Sequence, residues 1–224
     1  MKGLFPKVFA IFRKDILLEL RTKEVATSIL VFALLVLVIF NFAFDPEAST
    51  ISMVAPGILW VGFTFAGVLG LNRIFATEKE NSCFGGLMLC PVDRVVIYWG
   101  KLASIFTFIL IIEVIITPIF LILFNLPLFI PMLALIIVVA TVGFAAVGTL
   151  FSALAMNTRA RDILLPMVFL PVVVPVIIAG VKATALVLEG RPLGDMAIWF
   201  QIMIAFDIIY LVVSALVFEF VIEE

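Results

Sequence analysis

Six long apolar runs constrain this chain more than any other feature of its sequence. A helix that crosses the roughly 30 Å hydrocarbon core of a bilayer needs about 20 largely apolar residues. The runs are Val25–Phe44, Ile51–Asn72, Leu102–Phe124, Leu128–Met156, Ile163–Val181 and Ala197–Val217. The sequence therefore predicts an all-α membrane protein, a single permease domain over residues 1–224 with six transmembrane helices.

Composition excludes the main soluble alternatives. Hydrophobic residues make up 65% of the chain and charged residues only 13%, whereas soluble domains have about 45–50% and 25%. The net charge of −2 offers no basic field for a nucleic acid. The chain has no histidine and two cysteines, so imidazole catalysis and the common metal-ligand sets are absent. We expect no catalytic residue, no metal site and no directly bound cofactor.

The distribution of positive charge predicts the orientation in the membrane. Lys and Arg are enriched in the loops that stay in the cytoplasm. Twelve of the 14 Lys and Arg residues lie in the N-terminal segment and in the connectors after the second and fourth runs, and only Lys182 and Arg191 lie on the other side. Both termini are therefore expected in the cytoplasm.

Residues 1–23 have the pattern of an amphipathic helix lying in the membrane interface. Phe5, Phe9 and Phe12 share one side of a helical wheel, while Lys7 and Lys14 lie opposite, where they can face anionic headgroups. Such a helix is either a plain membrane anchor or an element that transmits motion, and the sequence leaves both interpretations open.

The connector between the second and third runs alternates charged and apolar blocks. Residues 78–94 begin with Glu-Lys-Glu-Asn, continue through Leu-Met-Leu and end with Pro-Val-Asp-Arg. Asn can cap a short helix and Pro ends one. We interpret this coupling segment as an amphipathic helix that docks onto a cytosolic partner. Its candidate contact residues are Glu78, Glu80, Asn81, Phe84, Leu87, Met88, Leu89, Pro91, Asp93 and Arg94.

Two acids interrupt the apolar runs, Glu113 in the third and Asp207 in the sixth. A charged side chain at the bilayer centre costs about 2.5–3.5 kcal/mol on insertion scales, so such residues usually face the bundle interior or a cavity. They are candidates for proton or substrate contacts, or for a hydrogen bond to a neighbouring helix.

Several motifs together resemble the haem exporter protein B family, a group within the ABC-2 type permeases. The resemblance is strongest over residues 57–101 and covers the length and span count of the whole chain. The residues that carry it are Ile58-Leu59-Trp60-Val61, Phe63-Thr64-Phe65-Ala66-Gly67, Gly70-Leu71-Asn72-Arg73, Glu78-Lys79-Glu80-Asn81, Cys83, Pro91-Val92-Asp93-Arg94 and Gly100-Lys101.

This resemblance implies a permease subunit of the cytochrome c maturation complex in the bacterial inner membrane. It implies a homodimer that carries two copies of a cytosolic ABC ATPase and associates with a haem-handling membrane protein and a small membrane peptide. Leu87, Met88 and Leu89 would fill a groove on the ATPase, and Glu80, Asp93 and Arg94 would fix the register. The complex would handle haem, and ATP would reach it only through the partner.

The sequence itself supports that division of labour. It contains no G-x-x-x-x-G-K-[ST] phosphate-binding motif, since Gly100-Lys101 is followed by Leu102. The chain is therefore not expected to be an enzyme. Two alternatives remain: an ABC-2 permease for a drug, lipid or glycan, and a membrane scaffold that transports nothing. The family resemblance also raises a re-entrant outer helix at residues 183–188.

Overall fold

The computed structural model describes residues 4–44, 48–80, 86, 92–156, 158 and 161–223. Within these residues the chain forms seven long α-helices and no strand, which confirms the all-α prediction. The helices are α1 (Leu4–Thr22), α2 (Glu24–Ala43), α3 (Ala48–Glu80), α4 (Arg94–Leu123), α5 (Pro131–Met156), α6 (Arg161–Leu188) and α7 (Leu193–Glu223). Six of them, α2 to α7, are long and apolar enough to cross a membrane.

Several helices extend beyond the apolar runs from which they were predicted, including α3, which continues to Glu80, and α7, which covers Leu193–Glu223. Helix α4 begins at Arg94, about two turns before the predicted start at Leu102. Helix α6 continues to Leu188 and contains residues 183–188 without a break. The separate re-entrant helix suggested there is therefore wrong. Pro166, Pro171 and Pro175 all lie inside α6 and none of them ends it.

Helix α5 lies at the centre of the bundle and packs against α3, α4, α6 and α7. Small residues make this close packing possible, as is usual where membrane helices meet. A Cβ atom on Gly148 would come within 2.6 Å of the Leu71 side chain of α3. Phe144 of α5 packs edge-on against Phe169 of α6, with ring centroids 4.8 Å apart.

Helix α1 lies against α4 and joins α2 through a single residue. That residue is Lys23, whose φ of 50° places it in the left-handed region that non-glycine residues rarely adopt. Six alternating spans bring α1, the start of α4 and the end of α7 to the same end of the bundle. We call it the basic end, because it carries most of the lysines and arginines.

Candidate functional site: the coupling segment and the start of α4

The structure describes only the two ends of the predicted coupling segment. Glu78 and Glu80 lie in the last turn of α3, Asp93 is exposed before α4, and Arg94 is the first residue of α4 and half-buried. The remaining contact residues lie outside the described part of the chain: Asn81, Phe84, Leu87, Met88, Leu89 and Pro91. The short docking helix between them therefore stays a prediction.

A cleft of about 690 Å³ lies beside the end of the coupling segment. Residues 92–96 and Trp99 form one wall, and Leu4 of α1 and Glu219 of α7 form the others. Its charged groups are Asp93, Arg94 and Glu219. The cleft gives the basic end a mixed polar and apolar surface next to the place where the cytosolic partner is predicted to bind.

Lys101 is fully buried and forms an ion pair with α1. Its Nζ lies 2.9 Å from Asp15 Oδ2, and Lys14 Nζ lies 2.8 Å from the other carboxylate oxygen of Asp15. A buried ammonium is tolerated only when it is paired and hydrogen-bonded. The ion pair therefore explains how a lysine can occupy the interior at the start of a membrane helix.

Gly100, the residue before this lysine, lets α1 approach α4 closely. A Cβ atom there would lie 2.7 Å from both Cβ and Cγ2 of Ile11, closer than side chains pack. The Gly100-Lys101 motif thus has two physical roles, since the glycine makes room for α1 and the lysine pairs with it. On another side of α4, the ring of Tyr98 packs 5.3 Å from that of Phe218 in α7.

Glu19 holds the junction between α1 and α2. Its carboxylate accepts a hydrogen bond from the backbone N–H of Ala26, in the first turn of α2, where N–H groups have no partner within the helix. Burial raises the pKa of Glu19, and this hydrogen bond offsets part of the rise. The sequence pattern of α1 predicted no contact for either Glu19 or Asp15.

The two intramembrane acids lie on either side of α5. Glu113 of α4 is 4% exposed and accepts a hydrogen bond of 2.6 Å from the Thr141 hydroxyl. Asp207 of α7 is 7% exposed and lies against Gly143, where a Cβ atom would overlap the carboxylate. Each acid therefore faces the interior of the helix bundle. Thr141 of α5 hydrogen-bonds Glu113, and the small Gly143 of α5 leaves room for Asp207.

Trp60 is a packing residue between α3 and α6. It is 5% exposed, and its indole N–H donates a 3.0 Å hydrogen bond to the Thr184 hydroxyl. Gly180 provides the space for its ring. The contact joins two helices and leaves no open aromatic face for a flat ligand.

Replacing Gly143 with valine should separate α5 from α7. The new side chain would meet the Asp207 carboxylate and come within 2.8 Å of the Phe206 ring, and overpacking of this kind costs about 1–3 kcal/mol. We expect less monodisperse protein in detergent and a lower unfolding temperature. Gly62→Val is the matched control, since Gly62 has open space around its Cβ position; equal losses in both variants would contradict the assignment.

The fold and the basic end together define a class of protein. A bundle of six long apolar helices, with a further helix packed against it, is a polytopic membrane protein.

Comparison with known proteins identifies the family. The model of the CcmB protein family matches residues 6–223, so this chain belongs to that family and the predicted resemblance is confirmed. Heme exporter protein B of Pseudomonas aeruginosa is 28% identical over 200 residues, 89% of this chain and 88% of the relative. The protein of that name from Bradyrhizobium diazoefficiens is 30% identical over 209 residues, 92% of each chain.

Proposed function

We propose that this chain is the membrane-spanning permease subunit of a haem export system for cytochrome c maturation. The observation that carries the proposal is the family match over residues 6–223, which spans all six helices and the coupling segment. Relatives that align with about nine-tenths of the chain carry the name heme exporter protein B.

ATP hydrolysis is assigned to a cytosolic partner. The sequence lacks a phosphate-binding loop motif, and the basic end offers the cleft beside Asp93 and Arg94 as part of the docking surface. The partner binds the coupling segment, and its nucleotide cycle drives either haem export or release of the haem-loaded periplasmic chaperone. In this proposal the basic end and both termini face the cytoplasm across the inner membrane.

The assembly in this proposal has two copies of the permease and two of the ATPase, together with a haem-handling membrane protein and a small membrane peptide. The chain has no histidine, so it cannot supply a histidine ligand to haem iron. That composition suits a subunit that converts nucleotide binding into motion while another subunit holds the haem.

Deletion of the gene in its own host should abolish haem-stained c-type cytochromes, and a plasmid copy should restore them. Membrane-bound b-type cytochromes provide the control, because their haem is not attached covalently to the protein. Normal c-type cytochromes in the deletion strain would contradict the proposal and favour an ABC-2 permease for another substrate.

A further inference from the structure

We propose that Glu113 is a proton-binding site inside the membrane, where it is a neutral carboxylic acid that donates its proton to Thr141 of α5. Both residues lie within candidate membrane spans, Glu113 in α4 and Thr141 near the middle of α5. The site is complete within this chain and needs neither the ATPase nor haem.

The oxygen atoms around Thr141 outnumber its protons. The hydroxyl oxygen of Thr141 lies 2.6 Å from Glu113 Oε2 and 2.7 Å from the carbonyl oxygen of Ile137. Both distances are those of a hydrogen bond between two oxygens. A hydroxyl group has one proton and donates to one of them, and a carbonyl oxygen has no proton to give. Both contacts are therefore hydrogen bonds only if the Glu113 carboxyl supplies a second proton.

A proton on Glu113 satisfies all three groups. The carboxyl O–H donates to the Thr141 hydroxyl, and Thr141 donates to the Ile137 carbonyl one turn earlier on α5. An ionised carboxylate would need the first of these hydrogen bonds to run in the opposite direction. The Ile137 carbonyl would then lie 2.7 Å from the same oxygen with no proton between them.

The surroundings of Glu113 also favour the neutral acid. Its side chain is buried, and Thr141 is the only side chain among the described residues with a hydrogen bond to the carboxyl. A carboxylate in apolar surroundings is strongly unfavourable unless a cation or several hydrogen bonds compensate it. The described side chains of α3 and α5 around Glu113 are all uncharged: Trp60, Phe63, Thr64, Ala140, Thr141 and Phe144.

The other helices that pack against α4 place their charges elsewhere. Helix α1 pairs Asp15 with Lys101, more than three turns before Glu113 on α4. Helix α2 has no charged residue after Glu24 in its first turn. The intramembrane acid of α7, Asp207, lies on the other side of α5, against Gly143. No described cation is therefore placed to balance a negative charge on Glu113.

A small cavity beside Glu113 limits what can reach its proton. The cavity volume is about 10 Å³, about the least space that holds one water molecule. The Thr64 hydroxyl lines this space and donates to the carbonyl of Trp60. A haem or any other organic substrate is too large to enter. Glu113 is thus closed to substrate in this conformation, and at most one water molecule fits beside it.

Infrared spectroscopy of the full-length protein in lipid nanodiscs at neutral pH tests this protonation state. A neutral carboxylic acid has a carbonyl-stretch band that an ionised carboxylate lacks. The wild type should show this band, and Glu113→Gln should lose intensity there in a difference spectrum. Glu189→Gln is the matched control, because Glu189 is exposed beside Arg191 at 3.4 Å. Its replacement should leave the band unchanged.

Glu113→Gln should also keep the unfolding temperature of the wild type. Its amide N–H group can donate to Thr141 as the carboxyl O–H does, and glutamine is uncharged like the neutral acid. An unchanged carbonyl-stretch band in Glu113→Gln would overturn the proposal, because the proton would then belong to another acid. A glutamine variant that does not fold would also overturn it, because the site would then need a charge.

Substitutions of Thr141 test which group donates. Thr141→Val removes the acceptor of the Glu113 proton, so the carbonyl-stretch band should shift in frequency. Thr141→Ser keeps a hydroxyl group and should leave the band at its wild-type frequency. A band that stays in place in Thr141→Val would show that Glu113 does not donate to Thr141, and it would overturn the proposal. If Thr141→Val does not fold, the comparison of Glu113→Gln with the wild type still decides the protonation state.

Discussion

Lys101→Met should release α1 from α4 and destabilise the protein severely. The substitution removes the buried ammonium 2.9 Å from Asp15 and leaves that carboxylate paired with the partly exposed Lys14. Breaking one side of a buried ion pair costs up to about 3–5 kcal/mol. We expect a large drop in the amount of folded protein in the membrane and rapid proteolysis within residues 4–22. Thermal unfolding in detergent and limited proteolysis measure both effects.

The double variant Asp15→Leu/Lys101→Met separates loss of charge pairing from loss of packing. Replacing both partners of a buried pair with apolar residues is often neutral or stabilising, so the second substitution should restore most of the lost stability. Lys182→Met is the matched control, because Lys182 is exposed and its replacement should have little effect. A double variant as unstable as Lys101→Met would show that the ion pair does not act as a unit.

Leu87→Asp/Leu89→Asp should abolish recovery of the ATPase with the permease while leaving membrane insertion intact. The pair lies in the coupling segment outside the described residues, so this expectation comes from the sequence pattern. A charged group in an apolar docking groove is desolvated without a partner, and a lost central contact of this kind costs at least about 2 kcal/mol of binding. Co-purification with a tagged permease measures the loss.

Leu87→Met/Leu89→Met is the control for that experiment. Methionine keeps the apolar character and nearly the volume of leucine, so recovery of the ATPase should stay close to wild type. Equal recovery from the aspartate variant would place the docking surface elsewhere, and the cleft at Asp93, Arg94 and Glu219 would be the first place to examine.

The spans were predictable because a bilayer permits so few solutions. Backbone groups in hydrocarbon must be paired within a helix or a closed barrel, so long apolar runs read directly as helices. The ends were harder to place. The aromatic pair in Tyr98-Trp99-Gly100-Lys101 is typical of the membrane–water interface. A lysine at that level would be expected to contact water. Its partner is Asp15, 86 residues earlier, and no local pattern reveals that pairing.

The same limit applies to the polar residues inside the membrane. The cost of burying a carboxylate predicts that Glu113 and Asp207 lie against protein, but it does not identify Thr141 or Gly143 as their neighbours. On α1 the helical wheel placed the phenylalanines on the side predicted to face the membrane, and Phe5 and Phe9 are exposed on the surface of the bundle. Asp15 and Glu19 lie one helical turn apart in the sequence, which indicates a polar stripe on α1 but does not identify α4 as its partner.

Purification of the tagged chain from its host in mild detergent, followed by haem staining of every co-purified band, tests the proposed function most directly. The account predicts a nucleotide-binding ATPase together with a membrane partner that carries haem. Two results together would contradict the account: recovery of an ATPase with no haem in any band, and normal c-type cytochromes in a strain from which this gene is deleted.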